Sequence, residues 1–98
     1  MKEIQFAWDE NKNRTNLAKH GIAFAEAVTV FYDEDAVLFD DPDHSESEER
    51  FLILGFSRNA RLCIVSHCYR DGGVIRIISA RKATKRESAV YQQYRKGG

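Results

Sequence analysis

No stretch of this 98-residue chain approaches the length of apolar sequence that crosses a bilayer. The opening Met1-Lys2-Glu3-Ile4-Gln5 lacks both the apolar centre and the cleavage pattern of a secretion signal, so the expected location is cytoplasmic. Cysteine is scarce: Cys63 and Cys68 stand five apart in one predicted strand, project to opposite faces, and read as buried small hydrophobes rather than a disulfide or a shared metal site. The histidines at 20, 44 and 67 fall in different segments, with no Cys-x-x-Cys and no carboxylate–histidine repeat, which disfavours metal catalysis. Gly72-Gly73 belongs to a turn, and neither a P-loop nor a dinucleotide fingerprint occurs; no cofactor is expected. There is one proline, no internal repeat and no low-complexity tract, and hydrophobic residues make up 43% of the chain. That composition predicts one folded domain over residues 1–98.

Charge is absent only in total. Residues 1–32 balance four cations against four acids, while Asp33 to Glu49 holds nine acids and no Lys or Arg. Residues 50–98 carry eleven cations against Asp71 and Glu87, so a net of plus nine cancels the minus nine before it. A half with that excess is a footprint for a polyanion, and an acidic loop is ordinarily solvated surface.

Ile4, Phe6 and Trp8 alternate with Glu3, Gln5 and Ala7, the pattern of a strand with one buried face. Asp9 then offers an N-cap and Gly21 a stop for a polar helix, on which Lys12, Asn16 and Lys19 share one face. Phe24, Ala27, Val28 and Phe31 predict a short amphipathic helix over residues 23–32, with Glu26 opposite its apolar stripe. A short apolar stretch at 36–39 and a loop from Asp40 to Glu49 follow. Three strands, 51–56, 62–69 and 74–80, joined by connections of hairpin length, predict an antiparallel meander. Thr84 and Glu87 form a capping box for a last helix to about Arg95, with Val90, Tyr91 and Tyr94 as its stripe. The expected fold is α+β, in the order β-α-α-β-β-β-α, with helices packed on a mostly antiparallel sheet.

The run Val74-Ile75-Arg76-Ile77-Ile78-Ser79-Ala80-Arg81-Lys82-Ala83-Thr84 threads cations through an apolar strand. An arginine between two isoleucines needs an anionic partner or a wet cleft, so Arg76 is either half of an internal ion pair or a ligand for phosphate. This run, with Glu87 and Tyr91, resembles the closing block of the BrnT family of toxins. The opening block agrees: Phe6-Ala7-Trp8-Asp9, then Lys12, Asn16, Lys19-His20-Gly21, Phe24-x-Glu26-Ala27 and Val30-Phe31. The resemblance implies the toxin of a type II toxin–antitoxin system, with a RelE-like fold and a ribonuclease activity that halts translation. It also implies a BrnA antitoxin of ribbon-helix-helix type, a complex of two toxins with two antitoxins, and contact with operator DNA only through the antitoxin. The acidic loop and His44 match no motif of the family.

A metal-free ribonuclease that uses the substrate's 2′-hydroxyl as nucleophile requires a base, an acid for the departing 5′-oxygen, and cations around the phosphorane. Arg76 and Arg81 suit the cationic role, because guanidinium gives forked donors to phosphate oxygens. Imidazole is the side chain best suited to proton transfer, which makes His20 a candidate, although a histidine before a helix-stopping glycine also serves as a helix C-terminal charge. Glu26 and Tyr91 complete the catalytic candidates, with packing as the alternative for the tyrosine. Lys12, Lys19 and Lys82 are the candidates for holding RNA phosphates. A second reading, a non-catalytic module that caps an antitoxin as co-repressor, draws on the zero net charge and the lack of an unmistakable acid–base pair.

Overall fold

A computed structural model describes residues 4–41 and 49–97. The expected acidic loop, His44 included, lies outside them except at its ends. The elements are β1 (Gln5–Ala7), α1 (Glu10–His20), α2 (Phe24–Val30), β2 (Val37–Asp40), β3 (Phe51–Phe56), β4 (Leu62–Arg70), β5 (Val74–Lys82) and α3 (Lys85–Gly97).

Local signals set the helix ends. The Asp9 carboxylate accepts from the backbone N–H groups of Asn11 at 2.8 Å and Lys12 at 3.3 Å, opening α1. Gly21, with φ of 73°, closes it and donates its N–H to the Leu17 carbonyl. At α3 the Thr84 N–H donates to Glu87 at 2.8 Å and the Glu87 N–H to the Thr84 hydroxyl at 3.1 Å, the reciprocal pair that the sequence predicts.

The strands form one sheet in the order β1-β5-β4-β3-β2. β2 to β5 pair antiparallel in succession, as the hairpin-length connections require for β3, β4 and β5, but β1 runs parallel to β5, with Phe6 opposite Ile75. The sheet is therefore mixed, and it has five strands where the sequence predicts four. The stretch at 36–39 contains the extra one: β2 acquires its ladder by pairing Val37 with Leu54 and Asp40 with Phe51, a contact no local pattern encodes.

Helices cover both faces. Ile22, Phe24, Ala27 and Val30 pack with Ile53, Val65, Ile75 and Ile77 on one side, whereas Tyr91 of α3 packs with Leu54 and Ile64 on the other. β4 is buried from Cys63 to Cys68, consistent with a strand covered on both sides. Three expected placements change. Ile4 is half-exposed because β1 begins only at Gln5. Glu26 is buried, and Asn16, expected on the outer face of α1, is the one buried residue of that helix.

Candidate functional site

Arg76 and Arg81 stand five apart, so an unbroken strand would send them to opposite faces. β5 is not unbroken. Its register against β4 shifts between Ser66 and His67, leaving Ile78 as an extra residue: Arg81 lies opposite Ile64, Ser79 opposite Ser66, and Arg76 opposite Cys68. Ile64, Ser66 and Cys68 alternate on one face of β4, so the bulge brings Arg76, Ser79 and Arg81 to that same face, away from the α1–α2 core. A bulge re-aims side chains in this way, and here it aligns two guanidinium groups over about 13 Å of strand.

β1 pairs with β5 only as far as Arg76. Beyond that point α1 takes the position a further strand would have. Asn16 makes the junction: its amide donates to the Ala80 carbonyl at 2.9 Å and accepts from the Ala80 N–H at 3.1 Å, while also donating to the Ile22 carbonyl at 2.8 Å. One side chain thus pairs with a strand edge as a backbone would. Between α1 and this edge lies an open groove of about 330 Å³, lined by Lys12, Asn16, Lys19 and His20 on the helix and by Ile78 and Ser79 on β5. Ser79 belongs both to the groove and to the face that carries Arg76 and Arg81. Arg76 lines an adjoining depression with Trp8, Asp9 and Arg70, at the N-terminal end of α1.

The other predicted site residues lie elsewhere. Arg81 donates through both terminal nitrogens to the two oxygens of Glu87, each at 2.9 Å, in a fork that joins β5 to the first turn of α3. The hydrogen bonds from Arg81 hold the Glu87 carboxyl down at about 2, despite the opposing effect of burial. Lys82 sits across the sheet edge, lining a separate cavity with Arg61. Glu26, expected on the outer side of α2, accepts from Arg61 and from the Ser57 hydroxyl at 2.7 Å, and the Arg61 bonds hold its carboxyl at about 2. Tyr91 is 2% exposed and donates its hydroxyl to Asp33 at 2.7 Å; burial first, then Asp33, push its phenol up to about 12. Of the five catalytic candidates only His20 lines the groove; Arg76 lies in the adjoining depression, and Arg81, Glu26 and Tyr91 are engaged elsewhere, so the five do not form one cluster. Glu26 is turned inward by a partner from the β3–β4 turn, and Tyr91 is turned inward by the apolar stripe of α3.

Arg61 and Asp33 carry no sequence signal on their own, and the inward role of Asn16 carries none. Arg61 binds Glu26 at a separation of 35 residues, and Asn16 reaches Ala80 across 64. Asp33 collects the Phe56 N–H at 2.8 Å, the Asp35 N–H and the Tyr91 hydroxyl; burial raises its carboxyl, but these donors together bring it below the usual range. Gly55 makes room for it, since a Cβ there would stand 3.0 Å from the Asp33 carboxylate and from Ala36. His67 is fully buried beside Phe31, with ring centroids 4.8 Å apart, and burial lowers its imidazole toward the neutral form. Cys63 is raised to about 11 by burial, which makes it an inert thiol. Among the described residues no group of three His, Cys, Asp or Glu side chains is placed to hold a metal ion, and no helix is long and apolar enough to cross a membrane.

The fold has a counterpart among known proteins. The chain is similar to the crystal structure of the Brucella abortus ribonuclease toxin BrnT, with 25% identity and a TM-score of 0.65 over 85% of this chain and 100% of that one. No curated protein sequence matches. Residues 8–87 match the family described as the ribonuclease toxin, BrnT, of type II toxin–antitoxin systems. That span runs from Trp8, at the mouth of the Arg76 depression, to Glu87, the partner of Arg81, and so takes in every part of the groove: the chain belongs to the BrnT family of ribonuclease toxins.

Proposed function

We propose that this protein cleaves RNA in the α1–β5 groove and thereby inhibits translation. The observation that carries the reading is the groove itself, in which Lys12, Lys19 and His20 of α1 face Ser79 of β5, with Arg76 in the adjoining depression. In this scheme the scissile phosphate lies over Ser79. Lys12 and Lys19 hold phosphate oxygens from the helix side, and the Arg76 guanidinium stabilises the charge that develops on the phosphorane, while Arg81 fastens α3 to β5 through Glu87. His20 takes the proton of the 2′-hydroxyl as its oxygen attacks phosphorus. The bond to the 5′-oxygen breaks, the departing oxygen is protonated by a groove ammonium, and the products are a 2′,3′-cyclic phosphate and a 5′-hydroxyl. No metal ion enters these steps. Glu26 and Tyr91 act through the fold rather than at the phosphate. The arrangement is one we read as RelE-like.

Membership of a type II family supports an antitoxin partner, which we propose is a BrnA-type ribbon-helix-helix protein in a complex of two toxins and two antitoxins that meets operator DNA through the antitoxin. The test is induced expression in a bacterial host with RNA integrity followed directly. Fragmented RNA with 5′-hydroxyl ends and arrested growth are expected. Intact RNA and normal growth from well-expressed soluble protein would replace this reading with that of a co-repressor.

A further inference from the structure

Where α1 ends, a second cavity begins. Arg61, Lys82, Thr84, Lys85 and Ser88 line about 360 Å³ between the β3–β4 turn, the end of β5 and the start of α3. Arg61 is held from behind: its Nε donates to Glu26 at 2.9 Å, and its Nη2 to Glu26 and to the Gly21 carbonyl, the latter at 2.9 Å. Its Nη1 makes no hydrogen bond among the described residues. The two carboxylates nearby are both engaged, Glu26 by Arg61 and Glu87 by Arg81, so Lys82 and Lys85 have no carboxylate partner among the described residues. The start of α3 adds little, because Thr84 and Glu87 already cap it; the side chains make the site. Two uncompensated ammonium groups and the remaining Nη1 of a guanidinium held in place from behind, flanked by two hydroxyls, suit a phosphodiester.

Position connects this cavity to the groove. Gly21, whose carbonyl receives Arg61, directly follows His20. Along β5, Ser79 of the groove and Lys82 of the cavity are three residues apart, about 10 Å, or about three stacked nucleotides.

We propose that the Arg61–Lys82–Lys85 cavity is a second RNA subsite, which takes a backbone phosphate a few nucleotides from the cleaved bond, with Glu26 as the residue that positions Arg61. The proposal rests on RNA as the ligand of the groove. Its test uses 2′-O-methyl RNA, which lacks the attacking hydroxyl, in lengths of two and six nucleotides, with binding to the intact protein measured across a salt series. The parent protein should bind the hexamer more tightly than the dimer. In a Lys82→Gln, Lys85→Gln variant the hexamer should lose about tenfold in affinity and about one unit of salt slope, narrowing its advantage over the dimer. Glu26→Gln, with folding verified by its melting transition, should weaken the hexamer alone. Unchanged hexamer affinity and slope in the lysine variant would overturn the subsite and leave the groove reading standing. Failure of the parent to bind either length would overturn the groove reading, and the subsite with it.

Discussion

Two sets of polar side chains in this protein differ in what surrounds them. The Glu26–Arg61–Ser57 cluster and the Asp33–Tyr91 pair fill the space between elements, with each carboxylate receiving several donors. The side chains of Lys12, Lys19 and His20 line an open groove and have no hydrogen-bond partner among the described residues. Buried charge requires partners within the chain, and a cluster that has them stabilises a conformation. Cations left unmatched along a groove have an external anion as their natural partner. Residue type alone does not separate the sets, since acids, arginines and a tyrosine suit catalysis and scaffold equally.

The sharpest test of that contrast is at His20. His20→Ala should lower RNA cleavage by about 100-fold or more, the usual worth of a positioned acid–base group. Its melting temperature should stay within a few degrees of the parent, as expected of a side chain with no described partner. Arg76→Ala should follow the same pattern with a smaller loss of cleavage. A large drop in stability for either would move the groove into the structural set.

Glu26→Gln should do the reverse, destabilising the fold by about 2 kcal/mol, roughly 10 °C in melting temperature. The same carboxylate predicts a pH dependence. Glu26 and Glu87 titrate near 2 when folded, against 4.5 for an unperturbed glutamate. Their ionisation therefore favours the folded state above about pH 4.5, and that contribution disappears as pH falls toward 2. Thermal melts of the parent should lose stability through this window, and those of Glu26→Gln should lose less.

Tyr91→Phe removes one donor from Asp33, which keeps the Phe56 and Asp35 N–H groups. The expected cost is about 1 kcal/mol in a denaturant titration, with cleavage per folded molecule preserved. A severe loss of cleavage in a stable Tyr91→Phe protein would return the phenol to the chemistry. The smallest effect is expected at Ala60, which turns β3 into β4 with φ of 61°, a conformation that glycine adopts without strain. Ala60→Gly should raise stability by about 0.5 kcal/mol, measured in the same titration.

The legible parts of the structure are those in which cause and effect are close in sequence. Asp9 and Gly21 bracket α1, Thr84 and Glu87 start α3, and the short connections force antiparallel neighbours, because each depends on residues within a few positions. The groove is only half legible. Lys12, Lys19 and His20 stand out as cations and an imidazole on a polar helix, but the strand facing them depends on an extra residue at Ile78, which exists only as a register shift against β4. The inward turns of Glu26 and Asn16 depend on Arg61 and Ala80, partners that come near only when the whole sheet has formed. Parallel pairing of β1 with β5 is of the same kind, a contact between the two ends of the chain.

Asn16 has one more consequence. Because its amide clasps Ala80 while its backbone belongs to α1, the gap between helix and strand is gauged by the length of a single side chain. Most clefts take their width from many contacts that would all have to change together. Here one methylene is the unit of adjustment: glutamine at this position would set the helix farther out, and a shorter residue would release it. The aperture offered to a bound strand is thus a dimension that evolution, or an engineer, can alter with one codon while leaving the cations of the helix wall in place.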